Sequence, residues 1–391
     1  MKKIISLLLV GALLCCMFCG CGAKTAAGSG DTIKIGVYEP QSGDNGAGGK
    51  QEILGMQYAN AMAPTVEVGG KTYNVELVYA DNESSNDKAV SAATTLISAG
   101  CSVILGSYGS GVSIAASDTF ANAGIPAIGV TCTNPQVTEG NDHYFRICFL
   151  DPFQGTVLAN FAKEKLGAST VYCLGQLGND YDQGLLNYFS KAAEELGMKV
   201  IRAEFPENNS DFTSYLTTAS NEGADVIFAP CSISYAQLIV EQCASQGLEI
   251  PLLASDTWDS NVILNAAQGK NSHIYVSTFY AEGGDKEFEA GIKEWINADT
   301  NNKANNGGDD RVAAVTVMGY DAYYTALEAI KAAGSADPAA IKAALPSVTY
   351  TGVSGDIAFD EVGDAVRDTA YIKTADNEAG AWKLETVQKA K

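Results

Sequence analysis

The stretch VILGSYGSGVSIAASD, residues 103–118, runs from an apolar strand-like segment through Gly106-Ser107-Tyr108-Gly109-Ser110-Gly111 into an alanine-rich helical pattern. A glycine-rich turn between a strand and a helix suits an anion, because the first N–H groups of the helix lack acceptors and its dipole points the same way. Phosphate, carboxylate and oxyanion are all open from the loop alone. The spacing fits neither G-x-x-x-x-G-K-[ST] nor G-x-G-x-x-G nor G-x-S-x-G, which counts against nucleotide binding and against an esterase elbow. Ser110 and Cys132 are the nucleophiles a hydrolase would use. The chain has only two histidines, His143 and His273, and neither sits in a cluster of carboxylates or cysteines. No general base, Ser-His-Asp triad or zinc site is recognisable, and no catalytic or metal-binding residue is expected.

Strand-like and helical segments alternate around these residues. Residues 32–38, 73–81, 102–106, 126–130, 170–175, 199–205, 225–230, 251–255 and 274–279 predict strands, and 51–63, 87–99, 112–123, 154–166, 184–196, 212–222 and 235–246 predict helices. That alternation implies right-handed βαβ units and open, mostly parallel sheets with helices on both faces, an α/β fold. Ligands of such sheets bind at the carboxyl ends of the strands. Thr133 in TCTNP, Tyr181 in NDYDQG, and Asp256 and Trp258 in SDTW all follow predicted strands; Asn-Pro also favours a plain turn, and Asp256 also reads as a helix N-cap. After about residue 280 the pattern changes to a helix, a polar loop at 299–310, a long helix over 311–333 and an antiparallel tail. Tyr320 opens a turn of that long helix, in YDAYYTAL, which an ordinary amphipathic helix would also show.

At 391 residues with 46% hydrophobic content the chain can bury a sizeable core in two compact units. Its 25 basic and 46 acidic residues give a formal charge of −21, which argues against nucleic acid and against electrostatic docking on anionic lipid. The start, MKKIISLLLVGALLCCMFCGCGAK, has two lysines, an apolar run from Ile4 to Phe18 and then small residues, the pattern of a secretory signal too short for a comfortable membrane span. Phe18-Cys19-Gly20-Cys21 resembles the bacterial lipobox, although the pattern prefers leucine where Phe18 stands. Residues 1–20 are therefore expected to be a lipoprotein signal peptide, Cys21 the lipidated residue, and 21–31 a polar tether. Cys101, Cys132, Cys148, Cys173, Cys231 and Cys243 contain no C-x-x-C pair and read as buried free thiols rather than a disulfide framework.

The segments GVYEPQSGDNGAGGKQEILGMQYA, LVYADNESSNDKAVSAATTLI, VTCTNPQVTEGNDHYFRICFLDPFQG, GNDYDQGLLNYF and LLASDTWDS, in this order, together resemble the type I solute-binding proteins of ABC importers, nearest the leucine/isoleucine/valine-binding branch. The resemblance runs from about Thr32 to the C-terminus. It implies two α/β lobes joined by three crossovers, with residues 32–151 plus 281–354 in the first and 152–280 plus 355–391 in the second. It also implies a monomer without a cofactor, anchored outside the cytoplasm through its lipid alone, which closes on an amino acid and passes it to an ABC permease. By the same resemblance Ser110 and Thr133 hold the ligand carboxylate, the Cys132 carbonyl and Asp256 meet its ammonium, Tyr181 and Trp258 close over it, and Tyr320 lies at the rim. Gly48 stands where the family often has an aromatic roof, and Ser232 near where it often offers a tyrosine. Both departures imply a roomier pocket and a larger or more polar ligand; an amide, urea or aromatic acid is the alternative.

Overall fold

The computed structural model describes residues 32–389; Cys21, the expected leader and the tether lie outside them. β1 (Thr32–Glu39), α1 (Gly46–Met62), β2 (Thr65–Val68), β3 (Lys71–Asp81), α2 (Asn86–Ser98), β4 (Val103–Leu105), α3 (Ser110–Asn122), β5 (Ala127–Gly129) and β6 (Tyr144–Arg146) build the first lobe around a six-stranded sheet ordered β2-β3-β1-β4-β5-β6. Every pairing in it is parallel except β2 with β3. α4 (Asp151–Glu164), β7 (Thr170–Gln176), α5 (Asp180–Glu195), β8 (Lys199–Phe205), α6 (Thr213–Asn221), β9 (Val226–Phe228), α7 (Ile233–Ser245), β10 (Leu252–Ala254), α8 (Asn261–Ala267) and β11 (Ile274–Thr278) form most of the second lobe. The chain continues through α9 (Lys286–Ala298), α10 (Thr300–Asn305), α11 (Ala314–Ala333), α12 (Pro338–Ala344) and the hairpin of β12 (Thr349–Gly352) and β13 (Gly355–Ala358). Finally β14 (Thr369–Asp376) and β15 (Ala381–Lys389) join the second sheet antiparallel, giving the order β15-β14-β11-β10-β9-β7-β8.

The short strands β4, β5, β9 and β10 are buried along their whole length, because helices cover both faces of a parallel sheet and leave no side for water. The first lobe takes α11 back against α1, and this crossing is close. A Cβ at Gly55 would lie 1.9 Å from the Thr316 carbonyl oxygen and one at Gly319 would lie 2.1 Å from that of Glu52, so each helix needs a residue without a side chain there. The approach fixes the α1 turn that carries Glu52 towards the sheet ends.

Three passages join the lobes: after β6, after β11 and before β14. Phe149 and Phe279, from the first two, pack in a tilted pair with centroids 4.3 Å apart, and Arg367, from the third, donates Nε to the Ile147 carbonyl at 2.9 Å. The expected boundary between residues 354 and 355 falls inside the β12–β13 hairpin, and the segment after β13 meets the first lobe where Arg146 Nε and Asp364 Oδ1 lie 2.5 Å apart.

The strand positions follow the sequence reading, whereas helix starts differ. α1, α4 and α5 begin at residues 46, 151 and 180, ahead of the expected 51, 154 and 184, since their first turns (GAGGK, DPF, DYDQ) carry no apolar period; of the three, only α5 is started by a side-chain cap, Asn179 accepting from the Tyr181 and Asp182 N–H groups. The polar stretch expected to be loop contains α10, because Asp299 accepts from the N–H groups of Asn301 and Asn302 and starts a helix that propensity alone does not announce. β2 and β6 were not expected either; each is only three or four residues long at a sheet edge. All six cysteines among the described residues are buried and unpaired. No described helix is long and apolar enough to cross a membrane.

Candidate functional site

The carboxyl ends of the two sheets face each other, and the residues there come from loops that each strand releases. Ser110 is the first residue of α3, 2% exposed, and its Oγ accepts from Asn134 N at 3.3 Å. The turn that carries Thr133 is set by Arg146, fully buried on the neighbouring strand. Its guanidinium donates to the carbonyls of Cys132 at 3.0 Å and Asn134 at 2.5 Å, to Thr138 Oγ1 at 3.0 Å, and pairs with Asp364. Thr133 Oγ1 is buried without a hydrogen-bond partner. A donor kept dry and unused beside a helix N-terminus is the arrangement expected where a ligand oxygen completes the set. The Cys132 carbonyl already accepts from Arg146, so an ammonium there would take its second lone pair.

On the other side of the cleft Asp256 is 2% exposed. Its Oδ1 accepts from Gln154 Nε2 at 2.7 Å and from the Tyr181 hydroxyl at 2.8 Å, and neither of these donors goes to Oδ2. Burial pushes its pKa up to about 6, with the Gln154 and Tyr181 bonds pulling the other way. Asp259, buried and ion-paired with Lys373 at 2.9 Å, is the charged carboxyl that acts on it, and three further buried carboxyls without a cationic partner lie on the first-lobe side and at the start of α4. Asp151, at the start of α4, lies beside the Thr133 hydroxyl without a regular bond to it, and burial lifts its pKa to about 8. Glu52, which accepts from Thr131 Oγ1, is likewise lifted to about 8, and Glu39, next to Glu52, is raised well above the carboxylate range first by burial and then by that neighbour. Of Asp256, Asp151, Glu52 and Glu39, Asp256 is therefore the one mostly ionised at neutral pH, and the other three are held largely protonated.

Ser110, Gly111, Tyr181 and Thr257 line a cavity of about 50 Å³ between the lobes, with Tyr108 over it. The expected opening at Gly48 is filled: a Cβ there would lie 2.3 Å from Tyr108 Cε2, so the phenol ring occupies the space of the absent side chain. Ser232 does not enlarge the cleft either, since its Oγ accepts from Asn45 Nδ2 at 3.1 Å and ties one lobe to the other. Tyr108 Oη, donating to the Thr257 carbonyl at 3.1 Å, and Ser234 Oγ, donating to Asp44 Oδ1 at 2.7 Å, add further ties across a shut cleft.

Ser110 and Tyr181 line this cavity, whereas Thr133 and Asp256 do not; Asp256 is joined to it through the Tyr181 hydroxyl. Trp258 is not a cleft residue: its ring is fully buried in the second-lobe core and its Nε1 donates to the Cys231 carbonyl at 3.2 Å, because the short turn after β10 directs it under the sheet end. Tyr320 is also placed elsewhere. It packs at 5.7 Å from Tyr58, 4.9 Å from Phe288 and 4.8 Å from Tyr324, between α1, α9 and α11, and Asp321 next to it accepts from the N–H groups of Val353 and Ser354. Sequence reasoning missed Tyr108, Asp151, Gln154 and Glu52. The one available signal was DPFQG, where Asp151 and Gln154 are three apart and so share a helix face.

This geometry can be set beside known proteins. The family model described as "Periplasmic binding protein" matches residues 32–380. The chain belongs to that family. Among relatives of this periplasmic binding protein, the Leu/Ile/Val-binding protein homolog 2 of Brucella abortus is 29% identical over 355 residues, 89% of this chain and 92% of that one. A leucine binding protein from Thermotoga maritima superposes with a TM-score of 0.79 at 30% identity, covering 91% of this chain and 99% of the other. The branched-chain amino acid transporter substrate binding protein of Streptococcus pneumoniae, solved with isoleucine, gives 0.77 at 28% identity over 92% and 99%.

Proposed function

We propose that this periplasmic binding protein captures a free α-amino acid outside the cytoplasm and delivers it to an ABC permease, as a lipoprotein held at the membrane by Cys21. The observation that carries the reading is the separation of the two halves of a zwitterion site. The α3 N-terminus with Ser110 and the unused Thr133 hydroxyl offers neutral donors to a carboxylate, and Asp256, oriented by Gln154 and Tyr181 through one oxygen, offers a charged acceptor to an ammonium. Relatives named for leucine, isoleucine and valine binding support the ligand class. The ligand leaves unchanged: Ser110 Oγ has its bond with a backbone N–H rather than a base, and burial pushes the Cys132 thiol up to about 11, away from the thiolate a nucleophile needs.

In this account the lobes meet at the passages after β6, after β11 and before β14, and the segment 355–365 moves with the first lobe. The protein works as a monomer and without a cofactor. A thermal-shift screen of the twenty amino acids tests the reading: a ligand at a hundred times its Kd adds about 2.7 kcal/mol to stability, an easily visible shift. No shift with any of them, together with one from benzoate or a simple amide, would replace the amino acid by the alternative class.

A further inference from the structure

We infer that Asp44 and Asn45, on the β1–α1 loop of the first lobe, are a latch that caps α7 of the second lobe and sets how long the cleft stays shut on its ligand. This rests on the capture reading above for closure alone, and not on which ligand is held. Two helices start side by side here. Asn45 is the N-cap of α1 and Ser232 the N-cap of α7, yet neither side chain caps its own helix. They bond across the cleft instead: Asn45 Nδ2 donates to Ser232 Oγ at 3.1 Å, and Asn45 Oδ1 accepts from the N–H of Ile233, the first residue of α7, at 3.2 Å. Asp44 takes the next residue, its carbonyl accepting from Ser234 N at 3.2 Å and its Oδ1 from Ser234 Oγ at 2.7 Å. Two of the first N–H groups of α7, which have no acceptor within their own helix, are thus capped from the opposite lobe. The Asp44 carboxylate also sits where two positive helix ends meet, and it offsets their repulsion.

The loop is held ready by its own lobe. Gln41 N and Ser42 Oγ each donate to the Asp81 carboxylate at 2.8 Å, and Asn45 N donates to Ser84 Oγ at 3.0 Å. Gly43, at φ +75°, lies so near Glu83 that a Cβ would come within 2.1 Å of its carbonyl oxygen. None of these contacts crosses the cleft, so they persist when the lobes part, and the cap arrives in its bonding geometry with little ordering left to do. Opening hands the Ile233 and Ser234 N–H groups to water. The cap bonds belong to the shut state alone, and they shift the balance towards it whatever the ligand. Asn45 also lines the interlobe cavity, so the test must separate a latch from a ligand contact.

That test titrates the parent, Asn45→Ala and Asn45→Asp with each of the twenty amino acids and with benzoate, by calorimetry for Kd and by stopped flow for the rates. Asn45→Ala loses both side-chain bonds and should bind every ligand of the parent about tenfold more weakly, by the same factor for each, through faster dissociation. Asn45→Asp keeps an acceptor for the Ile233 N–H and for the Ser232 hydroxyl, and should stay within threefold of the parent. A loss below threefold in a folded Asn45→Ala overturns the inference, as does an Asn45→Asp no better than Asn45→Ala. A loss carried by association, or one that differs more than threefold between ligands, overturns it too and makes Asn45 a ligand contact. Binding of benzoate with no amino acid bound overturns the ligand class proposed above, and the latch then stands or falls by the same factors measured on benzoate.

Discussion

Lowering the pH from 7 to 5 should weaken ligand binding about tenfold, because Asp256 is the charged half of the site and burial has moved its titration close to neutrality. With a pKa near 6 in the ligand-free protein, the carboxyl is ionised to roughly nine-tenths at pH 7 and one-tenth at pH 5, a difference of about 1.4 kcal/mol in binding. The free amino acid keeps both its charges through this range, so the change belongs to the protein. An ammonium beside Asp256 favours its ionised form, so binding at pH 5 must expel nearly one proton, and at pH 8 almost none. Titration calorimetry in two buffers of different ionisation enthalpy counts that proton directly. The ligand-free protein should respond in the opposite sense. Asp256, Asp151 and Glu52 have folded pKa values of about 6, 8 and 8, all above their unfolded values, so the stability they lend is full below about pH 4 and is lost as the pH rises towards 8. Its Tm should therefore be higher at pH 5 than at pH 8, and the gain on adding ligand larger at pH 8. A Kd flat between pH 5 and 8, with no proton released at pH 5, would refute the assignment of Asp256 as the ammonium partner.

Three substitutions separate the site from the scaffold. Asp256→Ala leaves a buried ammonium without its charge and should cost about 3 to 5 kcal/mol of binding, against about 1.5 to 3 kcal/mol for Ser110→Ala, whose backbone N–H remains; calorimetry ranks them, and the reverse order would contradict the zwitterion geometry. Arg146→Ala strands the buried Asp364 and frees the 132–138 turn, so denaturant unfolding should show a loss of about 3 to 5 kcal/mol; a loss below 1 kcal/mol would mean that the turn holds itself. Tyr320→Phe, far from the cavity, should leave the Kd within twofold of the parent, and a tenfold change would restore Tyr320 to the site.

The parallel core was legible because β4, β5, β9 and β10 are short apolar runs punctuated by helices, a pattern that depends only on neighbours along the chain. That Ser110 and Asp256 lie at the carboxyl ends of strands was legible for a related reason: each follows a short apolar run that pairs in the sheet. Trp258 misled because an aromatic two residues after Asp256 points into the cleft or under the sheet according to the turn between them, which three residues of sequence do not fix. Gly48 misled more instructively. Its missing side chain signalled space, yet the space belongs to Tyr108, sixty residues away, and such a pairing is visible only once α1 and the β4–α3 loop are side by side. The same holds for Asp151 and Thr133, which meet where α4 of the second lobe begins against the β5 end of the first.

The most direct test of the account is a comparison of one amino acid with its own derivatives. The amino acid that binds most tightly in the screen is titrated alongside its carboxamide and its N-acetyl form, which remove the carboxylate charge and the ammonium in turn while keeping the side chain. Donors at one end and the Asp256 carboxylate at the other predict that both derivatives bind at least a hundredfold more weakly than the parent amino acid, with the N-acetyl form the weaker of the two. Equal binding of either derivative would contradict the zwitterion clamp.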